Sequence, residues 1–107
     1  MKYSPTKSEK ELFSVISRIE DEIEAKNFLR DLLTEAEIKE FANRWQVAKM
    51  LDQKVAYKEI EKQTGMSSTT IARVQKWLTT GMNGYKTMLE KTNNNSSHHT
   101  HTPLVVV

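Results

Sequence analysis

The chain has 107 residues, 37% of them hydrophobic, which is enough for one small domain and excludes two independent cores. The absence of cysteine excludes disulfides and cysteine-based zinc sites, and the chain shows neither a secretory leader nor an apolar run long enough to span a bilayer. A net charge of +2 does not by itself indicate a nucleic-acid partner, so we expect a soluble cytoplasmic protein without membrane contact, whose function depends on local motifs.

Two amphipathic helices are predicted near the N-terminus, after a flexible arm at residues 1–6 that has no periodic pattern. The first begins at about residue 7 and the second spans about residues 24–33. Their apolar faces consist of Leu12, Phe13, Val15, Ile16 and Ile19, and of Phe28, Leu29, Leu32 and Leu33. Burying one Leu or Phe is worth about 1.5–3 kcal/mol, and one short hairpin cannot bury so many, so we expect a partner chain to cover them.

A third, longer helix is predicted from Thr34 to about residue 52. Thr34 and Glu37 have the spacing of a capping box, which marks its start. Apolar side chains then recur every three or four residues and predict one buried stripe. They are Ile38, Phe41, Trp45, Ala48 and Leu51. We interpret this helix as a scaffold and Trp45 as a core residue rather than part of a cofactor site.

Residues 56–78 predict a helix-turn-helix. Its first helix spans about residues 56–64 and is anchored by Ile60, and Gly65 follows where the chain must turn with positive φ. Ser67 is a natural N-cap, so the second helix is predicted to begin at Ser68. Its inner stripe is predicted to be Ile71, Val74 and Leu78.

The opposite face of the second helix has residue types that suit DNA. Short, mostly hydroxylated side chains at its N-terminal end can reach base edges in a major groove, whereas Arg73 favours phosphate. The short side chains are Ser68, Thr69, Thr70 and Ala72. Residues 54–91 carry seven Lys or Arg and three Asp or Glu, against nine and eleven in residues 1–53, so the basic half contains the motif. The alternative is an ordinary helical hairpin whose exposed face is rich in Ser and Thr.

A last short helix is predicted from residue 84 to about residue 91, with Tyr85, Met88 and Leu89 closing the core. From residue 92 the composition changes to Asn, Ser, His and Thr, which predicts a disordered tail at residues 92–107. Because no acidic or thiol partner lies near the three histidines of this tail, we predict no metal site there. These are His98, His99 and His101.

The run LLTEAEIKEFANRWQVAKML, followed by YKEIEKQTGMSSTTIARVQKWL, resembles the bacterial Trp repressor superfamily and, within it, the Gram-positive YerC/YecD-type branch. The resemblance covers about residues 32–91, with its motifs in order and almost without gaps. It implies an all-α, six-helix subunit, here residues 7–91, whose N-terminal helices interlock with those of a partner in an intertwined homodimer. Two reading helices would then lie about one DNA turn apart.

The resemblance also implies where an effector would bind. In the Trp repressor the co-repressor indole lies between the scaffold and reading helices, held by two arginines, a threonine, a glycine and a serine. Arg44, Arg73 and Thr34 match the first three, whereas Val74 and Trp77 replace the glycine and the serine. Because overpacking costs about 1–3 kcal/mol, we predict that L-tryptophan is not a co-repressor and that Trp77 fills part of the space. For both arginines, a role as ordinary phosphate or carboxylate partners is an equal alternative.

The DNA-facing positions of the family are retained more fully. The matching residues are Tyr57 and Lys58 on the first motif helix, Ser68, Thr69, Thr70 and Ala72 on the second, and Asn43, which matches a phosphate neighbour on the scaffold helix. Glu61 stands where the repressor has a lysine, which predicts weaker backbone contact and a different operator or docking angle.

We therefore predict a homodimeric, sequence-specific DNA-binding transcriptional regulator at the nucleoid, a repressor that blocks a promoter by occupancy. Phosphate contacts are assigned to Lys54, Lys58, Arg73 and Lys76, and base discrimination to the short side chains of the reading helix. The alternative is a helical protein-interaction adaptor, whose binding would depend little on salt. No nucleophile with a base at usable spacing and no Gly-rich phosphate loop occurs, so we predict neither an enzyme nor a cofactor.

Overall fold

The structure is a computed structural model that describes residues 2–99, with side chains as far as residue 93. These residues contain six helices and no strand, which confirms the predicted all-α fold. The helices are α1 (Lys7–Ile16), α2 (Glu22–Leu32), α3 (Glu35–Asp52), α4 (Tyr57–Thr64), α5 (Ser68–Thr80) and α6 (Gly84–His99). None of these six helices has the length and apolarity needed to cross a membrane. The chain divides into two compact units, residues 1–42 and residues 43 onward, and α3 contributes to both.

The first unit begins with an N-terminal segment that contacts α1. Thr6 caps the helix, since its Oγ1 accepts from the Glu9 N–H at 3.2 Å while the Glu9 carboxylate accepts from the Thr6 N–H at 3.1 Å. The Tyr3 hydroxyl donates to the same carboxylate at 2.6 Å, and the Tyr3 ring meets Phe13 edge-on. This hydrogen bond lowers the pKa of Glu9 and raises that of Tyr3. The helix then ends at Ile16, short of the predicted stripe residue Ile19.

The connection from α2 to α3 confirms the predicted capping box. Thr34 Oγ1 accepts from the Glu37 N–H at 3.1 Å, and the Glu37 carboxylate accepts from the Thr34 N–H at 2.9 Å. Arg30 spans the connection, donating to the Leu33 carbonyl oxygen at 3.1 Å and to Glu35 at 3.0 Å. Since both charged side chains of this ion pair are exposed, it contributes at most about 1 kcal/mol, and the cap is the stronger determinant of the turn.

The first unit leaves most of its apolar side chains accessible. Neither α1 nor α2 has a buried residue, and Ile23 is 69% exposed. The other large exposed apolar residues of these helices and the first half of α3 are Phe13, Val15, Ile16, Leu32 and Phe41. A groove of about 660 Å³ is lined by residues of α2 and the start of α3, including Leu29 and Ile38. This is the surface for which the sequence predicted a partner chain.

The second unit contains the hydrophobic core. It consists of Val47, Ala48, Met50 and Leu51 from α3, Ile60 from α4, Ile71, Val74 and Leu78 from α5, and Leu89 from α6. The predicted anchor of α4 and the predicted inner stripe of α5 are therefore confirmed. Two core predictions are wrong, because Phe41 and Met88 are 47% and 48% exposed. Phe41 belongs to the first unit, and α6 turns Tyr85 and Leu89, one helical turn apart, toward the core, which leaves Met88 outside.

The turn between α5 and α6 requires glycine at Gly81. The Gly81 N–H donates to the Trp77 carbonyl oxygen at 3.0 Å, and a Cβ at Gly81 would overlap that same backbone oxygen. We expect Gly81→Ala to lower the free energy of unfolding by about 1–3 kcal/mol, since a backbone atom cannot move aside as a flexible side chain can.

Gly84→Ala is the matched control for this substitution. A Cβ at Gly84 has no other atom within 4 Å, and Gly84 is the first residue of α6, so the control should be neutral or slightly stabilising. Urea denaturation of both variants measures the difference. Equal unfolding midpoints would show that the turn adapts to the added methyl group.

α6 extends further than predicted. The sequence predicts a helix end near residue 91 and a disordered tail from residue 92, whereas the backbone is helical to His99. The end of α6 is therefore corrected from about residue 91 to His99. Neither Gly nor Pro occurs between Tyr85 and His99 to interrupt the helix. The remainder of the predicted tail, residues 100–107 with His101, lies outside the described residues.

Candidate nucleic-acid interface

The predicted helix-turn-helix lies within the second unit. α4 and α5 are joined by the turn at residues 65–67, and the pair extends from residue 57 to residue 80, close to the predicted bounds of 56 and 78. Gly65 has a φ of +72°, and its N–H donates to the Glu61 carbonyl oxygen at 2.8 Å. The glycine thus adopts the left-handed conformation that ends α4 and starts the turn.

Ser67 caps α5 and also engages Thr70. Ser67 Oγ accepts from the Thr70 N–H at 3.2 Å, and the Ser67 hydroxyl donates to Thr70 Oγ1 at 3.2 Å. Thr70 is half-buried and tied to this cap, whereas Ser68 and Thr69 are exposed. Of the hydroxyl groups predicted to read bases, those of Ser68 and Thr69 are therefore the more accessible.

α5 has two opposite faces. Its buried side chains hold it on the core, and its exposed side chains recur at i, i+3, i+4 and i+7, which places them in one stripe on the other side. These exposed residues are Thr69, Ala72, Arg73 and Lys76. We call this stripe, with Ser68 at its N-terminal end, the outer face. It combines short side chains near the start of the helix with two cations further along.

α4 carries two lysines and two glutamates, and both lysines lie on the side that faces away from the core. Lys58 is exposed on the side of α4 opposite the fully buried Ile60. Lys62, one turn further along, is exposed on the same side and was missed by the sequence analysis, although its i, i+4 spacing from Lys58 is a usable signal. The N-cap, Ala56, offers no side-chain acceptor, and the Glu59 N–H already donates to the Ala56 carbonyl oxygen at 3.0 Å, so the first-turn amides open to an outside acceptor are those of Tyr57 and Lys58. Tyr57 begins the helix and is exposed.

Lys54 lies between α3 and α4 with a left-handed backbone, at a φ of +65°. Its N–H donates to the Leu51 carbonyl oxygen and the Val55 N–H donates to that of Met50, both at 3.0 Å. These two bonds form the Schellman motif that ends α3. The motif requires a left-handed residue at this position, where glycine is usual and another L-residue costs about 1–2 kcal/mol. The Lys54 side chain is exposed.

The residues predicted for an effector pocket have different environments. The Arg44 guanidinium carbon lies 6.0 Å from the centroid of the Trp77 ring, within the range of a cation–π contact. Val74 is fully buried and acts as a core residue, and Arg73 is on the outer face. Thr34 belongs to the first unit, where its hydroxyl oxygen caps α3. The structure thus brings together Arg44 and Trp77 from this set.

Arg44 lies near aromatic side chains of α5 and α6. Tyr85 of α6 stacks on Trp45 of α3, with ring centroids 6.4 Å apart and ring planes at 24°. Burial raises the pKa of the Tyr85 hydroxyl, and the positive charge of Arg44 opposes this shift. Trp45 packs half-buried against the core, as predicted for a core residue. Asn43, the remaining predicted phosphate neighbour, is half-buried one residue before Arg44.

Comparison with known proteins links this arrangement to one family. Residues 7–93 match the family model described as Trp repressor protein. The chain is 38% identical over 81 residues to YerC of Bacillus subtilis (strain 168), described as an uncharacterized protein. That match covers 76% of this chain and 78% of YerC.

Two solved structures have a similar fold. A crystal structure described as that of a candidate Trp repressor from Staphylococcus aureus is 37% identical with a TM-score of 0.77, and the match covers 83% of this chain and 89% of that one. A TrpR-like protein from Eubacterium eligens is 36% identical, also with a TM-score of 0.77, over 82% of this chain and 91% of that one. The likeness in sequence and fold therefore includes the helix-turn-helix.

Proposed function

Since the chain belongs to the Trp repressor family, we propose that it is a sequence-specific DNA-binding transcriptional regulator, a repressor that occupies its operator as a homodimer. Membership of this family favours regulation over catalysis. The observation that carries the proposal is the outer face of α5, which is exposed, begins with short hydroxylated side chains and includes Arg73 and Lys76. The protein would act at the nucleoid in the cytoplasm, where its DNA ligand lies.

The outer face supports a division of roles in the major groove. Ser68, Thr69 and Ala72 are small enough for α5 to approach base edges, where hydroxyl groups can donate or accept and methyl groups can contact thymine. Thr70 would contribute from beside the outer face, because its hydroxyl oxygen already accepts from Ser67. Cations of the outer face, of α4 and of the turn before α4 would bind phosphates and set affinity. These are Lys54, Lys58, Arg73 and Lys76, with Tyr57 and Asn43 as further backbone neighbours.

The homodimer is supported by the exposed apolar side chains of the first unit. α1 and α2 bury no residue, although their apolar side chains recur at the spacing of core-facing helices. Leaving such a surface in water is unfavourable by about 25 cal/mol per Å², so a second copy of the chain that covers it would be strongly stabilised. A two-fold dimer would also present two copies of α5 to successive turns of duplex DNA.

Selection of duplexes from a random pool tests the proposal. We expect an enriched palindrome, and binding to it should fall steeply with salt because phosphate contacts release counterions. A helical adaptor that binds another protein through apolar contacts would enrich no sequence. It would also show little dependence on ionic strength, so the same two measurements distinguish the alternatives.

We propose further that DNA binding does not depend on L-tryptophan. Arg44 already faces the Trp77 ring, and Val74 is packed in the core, so two side chains predicted to surround the indole serve the protein's own packing. Isothermal titration calorimetry of the whole protein with L-tryptophan is expected to show no binding in the micromolar range. Operator affinity should be the same with and without the amino acid. A saturable heat signal accompanied by tighter operator binding would contradict this proposal.

A further inference from the structure

Lys54 has a backbone conformation that a lysine rarely adopts. Among residues 2–99, two residues other than glycine have positive φ, Lys54 at 65° and Asn83 at 64°. Asparagine tolerates this region because its short polar side chain can bond locally, whereas lysine has no such compensation. The Schellman bonds at the end of α3 hold Lys54 there. A glycine at position 54 would make the same bonds without strain.

No side-chain hydrogen bond or ion pair in the described part of the protein compensates for this strain. The Lys54 side chain is exposed and makes no hydrogen bond or ion pair with any described residue, and it is Val55 that packs against the core. A positive charge beyond the end of α3 does interact favourably with the helix dipole. A lysine in place of Gln53, the preceding residue, would gain the same interaction without a left-handed backbone. The stability of the isolated chain therefore does not explain the choice of residue.

The position of Lys54 in the chain suggests why a lysine occurs there. Lys54 precedes Tyr57, the first residue of α4, by three residues, so their Cα atoms lie within about 11 Å. The chain therefore presents an ammonium group beside the start of α4. Lys58, one turn into the helix, is exposed as well. This end of the motif would face the sugar-phosphate backbone if α5 enters a major groove.

We propose that Lys54 is retained in a strained conformation because its ammonium group binds a DNA phosphate beside the groove that α5 reads. This inference rests on the proposed function and adds that Lys54 lowers the stability of the fold while it raises the affinity for DNA. Because a phosphate contact carries no base information, Lys54 should strengthen binding to all duplexes alike and contribute to the salt dependence.

Two substitutions of Lys54 relieve the strain and remove the charge together. Lys54→Gly removes both the strain and the charge, and Lys54→Asn places a residue that tolerates positive φ without adding the flexibility of glycine. Asn83→Gly is the control, since it changes the other left-handed residue, which lies outside the proposed interface. The measurements are the thermal midpoint of the full chain and its affinity for the selected duplex over a range of salt concentrations.

We expect both Lys54 variants to melt at higher temperature and yet bind the duplex on the order of tenfold more weakly. The slope of log affinity against log salt should decrease by about 2 for a dimer, one contact per subunit. Asn83→Gly should leave affinity and slope unchanged. Lys54 variants with wild-type affinity and slope, with no gain in stability, or with weaker binding at an unchanged slope would each overturn the assignment. If the wild-type chain binds no duplex at all, the proposed function itself fails.

Discussion

Thr69→Glu is expected to abolish operator binding and leave the fold intact. Thr69 is exposed near the N-terminal end of the outer face, where a carboxylate would meet acceptor edges of bases and the negative charge of the DNA backbone. Such a like-charge contact costs several kcal/mol, and a dimer would have two, so we expect an affinity loss of at least about 100-fold. Because the residue lies in the first turn of α5, the carboxylate interacts favourably with the helix dipole and should not destabilise the helix.

Thr87→Glu is the matched control for that experiment. It makes the same change at an exposed threonine near the start of α6, so net charge and side-chain volume change equally. Fluorescence anisotropy with the selected duplex measures affinity, and circular dichroism measures the thermal midpoint. We expect the control to bind like the wild type. If both variants bind with the same affinity, α5 does not read DNA through its outer face.

Ile23→Asp is expected to prevent dimerisation. Ile23 is the most exposed of the large apolar residues in the described part of the chain, at 69%. In a monomer this substitution would be nearly neutral, because surface changes usually alter stability by less than about 0.5 kcal/mol. In a dimer that covers α2, an unpaired carboxylate would be buried, and burying an unpaired charge costs several kcal/mol. We therefore expect a shift from dimer to monomer, together with loss of operator binding.

Sedimentation equilibrium at several protein concentrations measures this shift. Ile23→Leu is the control, because it keeps an apolar side chain of the same size and should retain the dimer. A wild-type protein that sediments at 12.4 kDa over the whole concentration range would contradict the proposed homodimer. A dimer unaffected by Ile23→Asp would instead place the interface elsewhere on the chain.

Helix starts and turns were predictable because their causes lie within a few residues. The Thr34 and Glu37 capping box, the left-handed Gly65 and the Ser67 cap all occur where the sequence predicts them. The capping box of α1, formed by Thr6 and Glu9, has the same spacing and could have been identified by the same rule. Lys62 likewise could have been found from its spacing to Lys58.

Other features had no such local signal. The residue type gives no indication that Lys54 is left-handed, because lysine is common in ordinary turns and the constraint comes from the carbonyl groups that end α3. Thr70 looks as suitable for reading bases as Thr69, and only the Ser67 hydroxyl distinguishes them. The end of α6 was misplaced because a polar composition indicates how little surface a segment can bury, and a helical backbone does not require burial.

The sequence alone determined the six helices, the helix-turn-helix and the two faces of α5, since each depends on contacts or periodicity within one or two helical turns. The tertiary structure decided which members of each apolar stripe are buried. Leu89 lies in the core and Met88 does not, because burial depends on elements that are distant in the chain. It likewise decided the place of Arg44 against Trp77 and the strained backbone of Lys54. A local pattern constrains the helix to which a residue belongs, whereas packing between helices decides what that residue contacts.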